Sequence, residues 1–296
     1  MNTVRRRRFY SISWVMPALV LLGVFVYYPI IDNIWLSFFS WSAFSSAPEF
    51  VGLQNYQSMA QDDIFWRALL NNVWYAAVSL IVQVALSLVL AAILEEFVRP
   101  RLRSILRSIY FIPSVISITV AGLLFAFIYN PRFGLLNRLL DFVGLDGWQH
   151  SWLGEQATAI WSIIAMSQWQ SFGYTAVLFS VAIQRIPTEL YEAARVDGAG
   201  PVRSFFTITV PMVREMTTLL IILTVSGAFL LFNEVVVMTN GGPADSSQVL
   251  GTWMYRNAFL IDDMGYAAAI ATVIFVLTVV FAIIQLVYSQ RRRVEM

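Results

Sequence analysis

The sequence predicts an all-α membrane protein with six transmembrane helices, cytoplasmic N- and C-termini and a single domain over 1–296. Three observations carry that prediction. Hydrophobic residues make up 58% of the chain and charged residues 12%, where soluble domains carry about 25% charge; mean hydropathy is +0.69. The apolar residues gather in long charge-free runs. The arginines crowd onto alternate connections between those runs.

A bilayer core roughly 30 Å thick takes about 20 apolar residues in helix. Six charge-free windows meet that length: Phe9 to Ile31, Ala68 to Leu94, Ser108 to Pro131, Gln156 to Gln184, Met216 to Asn233 and Met264 to Gln290. Solid runs of this kind read as helices. A membrane barrel would show short alternating segments, and unsatisfied backbone groups cost several kcal/mol each in hydrocarbon. The first run follows Arg5 to Arg8 as a signal peptide would, but no small-x-small site comes after it and Pro48 directly follows the Ser46-Ala47 pair. It is read as a retained span.

Orientation follows from the basic residues, all 19 of which are Arg. With both termini inside, the cytoplasmic segments hold Arg5 to Arg8, Arg99, Arg101, Arg103, Arg107, Arg185, Arg195, Arg203, Arg214 and Arg291 to Arg293. The outer loops keep Arg67, Arg132, Arg138 and Arg256 together with most of the acids. A division of 15 to 4 puts the termini in the cytoplasm.

Between the fourth and fifth windows the cytoplasmic segment 187–211 reads as two short helices. Pro187 and Thr188 are start signals for the first, on which Leu190, Ala193, Ala194 and Asp197 fall on one face. Gly198 and Gly200 break it where a residue must take positive φ, and Pro201 suits the first position of the second helix. Val202, Phe205, Phe206 and Thr209 form the next stripe, and Pro211 is expected to end it. Taken alone, such a stretch also suits an amphipathic surface loop with no partner.

The run Glu192-Ala193-Ala194-Arg195-Val196-Asp197-Gly198, followed by Ile208-Thr209-Val210-Pro211, resembles the EAA loop of the integral membrane subunits of bacterial ATP-binding-cassette importers. Only Val210, where Leu is usual, departs from that pattern. The stretches "FWRALLNNVWYAAV", "FNEVVVMTNGGPADSSQVLGTWMYRNAF" and "GYAAAIA" look like the sugar-permease branch, which includes the maltose, lactose and glycerol-phosphate systems. The similarity runs from about Tyr28 to the C-terminus.

The resemblance implies a type I importer permease in the bacterial cytoplasmic membrane, moving a mono-, di- or oligosaccharide. Glycerol phosphate or another polyol is the alternative. It implies as partners a second homologous permease, a cytoplasmic ATPase dimer and an extracellular solute-binding protein. ATP and magnesium would belong to the ATPase, so this chain is expected to be no enzyme and to hold no cofactor of its own. In that reading Glu192, Ala193, Ala194, Asp197 and Gly198 form the coupling contact: small alanines allow close approach, Glu192 offers a carboxylate, and Gly198 allows a sharp exit.

Polar residues inside the spans are costly and therefore informative. Ser167, Gln170, Ser171 and Tyr174 share one face of the fourth, and Thr224, Gly227, Ala228 and Leu231 share a small-residue face of the fifth. Such faces suit close helix packing. An amide, two hydroxyls and a tyrosine equally suit a neutral polyol, and in the maltose-type permease that this chain resembles the matching helices line the sugar site. Both readings stand at this point, with Ser167, Gln170, Ser171, Tyr174 and Thr224 as candidate pathway residues. Glu234, near the outer end of the fifth span, reads as structural or gating.

Other chemistry finds little support. The chain has no Cys and no Lys, hence no thiolate site and no G-x-x-x-x-G-K-[ST] nucleotide loop. The lone His150, between Trp148 and Trp152, reads as an interfacial residue because no second His or Cys exists to complete a metal site. Asn240-Gly241-Gly242-Pro243 reads as a turn. The terminal Arg clusters read as anchors on anionic headgroups, with no nucleic-acid role. An ion-coupled carrier would call for buried carboxylates and broken helices, which the uninterrupted windows do not suggest. A membrane enzyme would call for His or paired acids.

Overall fold

The computed structural model describes residues 15–44 and 47–290. Arg5 to Arg8, Arg291 to Arg293 and the start of the first window lie outside the described residues. The chain divides into two compact units, 1–62 with 254–275 and 63–253 with 276–296.

In the first unit, helix α1 (Val15–Leu36) presents its apolar length outward, as an element bathed in lipid must. A two-residue hairpin, β1 (Phe39–Ser40) with β2 (Glu49–Phe50), and α2 (Gln54–Ala60) follow it. The final helix α13 (Met264–Gln290) begins in this unit. Asn33 on α1 donates its amide to the Ala268 carbonyl and the Thr272 hydroxyl, each at 3.2 Å. Asn55 likewise donates to the Ser37 and Phe39 carbonyls at 2.9 and 3.0 Å. Tyr266 donates to Asp62 at 2.6 Å.

The second unit is built around α7 (Ala159–Ile183). It packs along α3 (Asp63–Phe97) and α4 (Pro100–Val115), and touches α5 (Ile118–Ile128), α10 (Arg214–Phe229) and α11 (Asn233–Met238). Between these come α6 (Leu135–Phe142), α8 (Thr188–Val196) and α9 (Pro201–Met212), and α12 (Leu250–Arg256) begins here; its end and the π-turn that continues it, Asn257–Ile261, belong to the first unit. Two apolar clusters hold the unit. One joins Tyr75 and Ala76 to Ile163, Met166, Ala228 and Val235; the other joins Val84 and Leu88 to Phe179, Ile183, Val213 and Leu220.

Three helices, α1, α3 and α13, are long and apolar enough to cross a bilayer. The pairs α4 with α5 and α9 with α10 raise this to five if each bent pair is one span. The 25-residue α7 carries no charge but is more polar; its Ser162, Ser167, Gln168, Gln170, Thr175 and Ser180 are all buried. Polar residues turned into the protein cost nothing against lipid, which is why a helix of moderate hydropathy can still span.

The third window does not form the single helix its apolar run predicts. α4 and α5 meet at 95°, because Pro113 withholds a backbone donor and Ile116 and Ser117 take extended conformations, with ψ of 134° and 139°. The second helix of segment 187–211 also departs from expectation. It runs through Pro211 to Met212, and the turn of 71° into α10 comes at Val213.

Gly173 is where α4 and α7 cross with their backbones in contact: a Cβ there would lie 1.7 Å from the Tyr110 carbonyl oxygen. No rotamer relieves a clash with backbone. Gly173→Ala is therefore expected to part the helices and destabilise the protein by about 1–3 kcal/mol or more, read as a lower midpoint in thermal unfolding of the purified protein. Gly227→Ala, where no atom lies within 4 Å of the added carbon, should leave the midpoint in place.

Candidate functional site

Helix α8 begins after Pro187, whose extended backbone caps it, and ends at Asp197. Its exit is a complete Schellman motif. Gly198 donates to the Arg195 carbonyl at 3.0 Å and Ala199 to the Ala194 carbonyl at 2.8 Å, with Gly198 at φ 76°. That conformation is open to glycine and strained for branched residues. Glu192, Ala193, Asp197 and Gly198 are exposed, and Ala194 is half-buried.

The inward pair on α8 is Tyr191 and Ala194; Leu190, Ala193 and Asp197 of the anticipated face are exposed. The stripe on α9 also differs. Val202 and Phe206 are outward, at 72% and 63% exposure, while Ser204 and Thr209 are buried. A π-turn over Phe205–Thr209 is the reason: one extra residue per turn advances the following side chains by about 100° around the helix. Leu190, Val196, Val202 and Phe206 thus leave an apolar surface uncovered on this segment.

The candidate face of α7 grades from buried to open. Ser167 is buried and shares a short hydrogen bond with the Tyr75 hydroxyl. Gln170 is buried too, and its amide donates to the Ile116 carbonyl at 2.7 Å, at the break between α4 and α5. Ser114 donates to the Gln170 carbonyl at 2.7 Å and accepts from the Tyr174 backbone N–H at 3.1 Å. Ser171 is half-buried, and Tyr174 is 49% exposed. On α10, Thr224 and Ala228 are buried and Gly227 is exposed. Glu234 is half-buried in the first turn of α11.

Several buried polar residues went unread in the sequence. Gln83 donates to Gln168 at 2.9 Å, Gln168 donates to Ser79 at 3.1 Å, and Ser87 meets Thr175 at 2.9 Å. Ser79, Gln83 and Ser87 recur every fourth residue, a stripe that was open to view. Asn72 donates to the Ala228 carbonyl at 2.5 Å and accepts from the Leu250 N–H at 2.9 Å. Asn71 donates to the Ser246 and Gln248 carbonyls at 2.9 and 2.8 Å.

In the loop before α7, His150 is paired with Glu155 at 2.9 Å and meets the Trp152 ring edge-on. The Glu155 carboxyl is held below its ordinary range, chiefly by the Ser151 backbone N–H at 2.7 Å and further by His150. Asn240 and Gly241 take positive φ and open a turn, which Ser247 ties back to the Gly242 carbonyl at 2.5 Å. Among the described residues no three His, Asp or Glu side chains gather as a metal site.

Residues 83–294 match the family described as binding-protein-dependent transport system inner membrane component. A probable ABC transporter permease of Bacillus subtilis, YurN, is 47% identical over 292 residues, covering 99% of this chain and all of the relative. NgcF, the diacetylchitobiose uptake system permease of Streptomyces coelicolor, is 36% identical over 89% of this chain and 77% of its own. In fold the chain is similar to a bacterial ABC transporter involved in import of the acidic polysaccharide alginate, with a TM-score of 0.83, 22% identity and 98% of each chain covered. This multi-pass membrane protein accordingly belongs to the inner-membrane components of binding-protein-dependent transport systems.

Proposed function

We propose that the chain is the carbohydrate-translocating subunit of an ATP-driven importer in the bacterial cytoplasmic membrane. Its six spans would be α1, α3, α4 with α5, α7, α10 with α11, and α13, with both termini in the cytoplasm. A second permease completes the pathway, a solute-binding protein delivers the ligand from outside, and a cytoplasmic ATPase binds the nucleotide and magnesium. The observation that carries the reading is the cytoplasmic knuckle: a short helix with a glycine exit, an outward Glu192, and uncovered Leu190, Val196, Val202 and Phe206. Large exposed apolar patches mark contact with another protein or with the membrane, and Ala193, Asp197 and Gly198 are exposed as well.

The broken-helix objection to an ion-coupled carrier loses its force, since α4 and α5 meet at 95°. Membership of the family and the knuckle favour the importer instead. A carbohydrate cargo is supported by what NgcF is named for, and the absence of charge from α7 favours a neutral one. A phosphorylated polyol would need a cation along the pathway.

Within the candidate face we assign sugar contact to Tyr174, which is half exposed; Thr224 on α10, a secondary candidate, is buried. Ser167, Gln170 and Ser171 stand behind and shape the wall. Tyr174→Ala is expected to cut transport about 5-fold or more, the value of one lost buried hydrogen bond, with no change in unfolding midpoint. Gln170→Ala strands the Ile116 carbonyl and should lower both transport and midpoint. Unchanged transport in Tyr174→Ala would move the sugar contact to the partner permease.

Topology and docking are tested together in this Cys-free chain. Gly147→Cys should label on intact cells with an impermeant reagent, and Val196→Cys, at an 87% exposed position, only after lysis. The unmodified chain should copurify with an ATPase. Glu192→Ala and Gly198→Leu should weaken that association, the latter because a branched residue at this φ costs on the order of 1 kcal/mol or more. Inverted labelling, or retention of the ATPase by both variants at the level of the unmodified chain, would overturn the assignment.

A further inference from the structure

Helices α8 and α9 are joined by four residues, Asp197 to Gly200, two of them glycine. The Schellman bonds fasten Gly198 and Ala199 back onto α8, which leaves Gly200, a conformationally permissive residue, as the link to α9. Helix α8 borders a cleft of about 370 Å³, lined by Glu95, Glu96 and Arg103 from the ends of α3 and α4, by Tyr191 of α8 and by Thr209 of α9. Tyr191 ties α8 to α9: its hydroxyl meets the Thr209 hydroxyl at 2.9 Å, and it packs against the apolar cluster that includes Ile183, Ile186 and Val213.

Thr209 is 4% exposed and closes the π-turn of α9. The π-turn is what brings its hydroxyl round to Tyr191. Four residues later the chain turns at Val213 into α10. A push on α8 can therefore reach the fifth span by two routes, through a glycine joint or through a hydroxyl pair seated in a packed cluster. Only the second is stiff.

We propose that Tyr191 is a positioning residue: its hydrogen bond to Thr209 makes α8 and α9 one rigid lever that passes ATPase closure to α10. The proposal rests on the reading of α8 as the ATPase contact. It requires no contact of Tyr191 with the ATPase or the sugar.

The test uses the full chain with its copurified partners in nanodiscs and a single reporter, Gly227→Cys, exposed on α10 with no atom within 4 Å of an added Cβ. Maleimide labelling is measured without nucleotide and after trapping with MgATP and vanadate. Trapping is expected to change the labelling rate with native Tyr191 and Thr209. In Tyr191→Phe and in Thr209→Val the change should shrink roughly 3- to 10-fold, the worth of one hydroxyl hydrogen bond. The double variant should be no worse than either single, and Thr209→Ser, which keeps the hydroxyl, should respond as the native pair does. ATPase retention and vanadate trapping should be unchanged throughout, which a merely destabilised loop would not allow. Full response in Tyr191→Phe and Thr209→Val overturns the proposal, as does a reporter that ignores trapping with the native pair. If Tyr191→Phe fails to assemble, the Thr209→Val and Thr209→Ser comparison decides. Failure of any ATPase to copurify overturns the functional reading itself, a separate result.

Discussion

A bilayer offers no hydrogen bonds, so every backbone group freed at a helix break within it must be met by the protein. Two helix pairs of this chain are sharply bent at short breaks, and buried side chains meet backbone groups at helix ends and breaks. Gln170 takes the Ile116 carbonyl beyond Pro113, while Asn72 holds the Ala228 carbonyl where α10 ends and the Leu250 N–H where α12 begins. Each is an amide, able to donate and accept without the cost of a buried charge. The breaks are thereby stable features of the fold, and they bend the path of the chain around α7.

The same accounting explains why α7 can be polar and central at once. Its glutamines and hydroxyls face Ser79, Gln83, Ser87 and the α4–α5 break, so that its outer surface is left to apolar residues and Tyr174. A polar stripe on one span thus has two possible destinations, a neighbouring helix or a pathway. Here most of it goes to neighbours. Tyr174 is the member of the predicted face that the packing leaves substantially open.

Segment 187–211 divides its residues between the packed interior and the surface. Glu192, Ala193 and Asp197 are outward and uncommitted to packing, while Tyr191, Ala194 and Thr209 turn inward. Gly198 lets the chain leave α8 within one residue, and the π-turn of α9 sets which of its side chains meet α8.

The residues by themselves determined a good deal: the helical class, the long apolar runs, the short helix with its Pro187 start and Gly198 exit, and the family to which the chain belongs. These are legible because hydropathy, arginine bias, proline and glycine act locally and leave their mark over a few consecutive positions. Only the tertiary structure decided that the third window breaks at Ile116, that the α9 stripe turns at Phe205–Thr209, and that Gln170 supports a break while Tyr174 stays open. Those outcomes depend on partners far off in sequence, 54 residues for Gln170 and Ile116 and 156 for Asn72 and Ala228. A polar residue in a span declares only that it needs a partner; which group supplies it is set by how the helices pack.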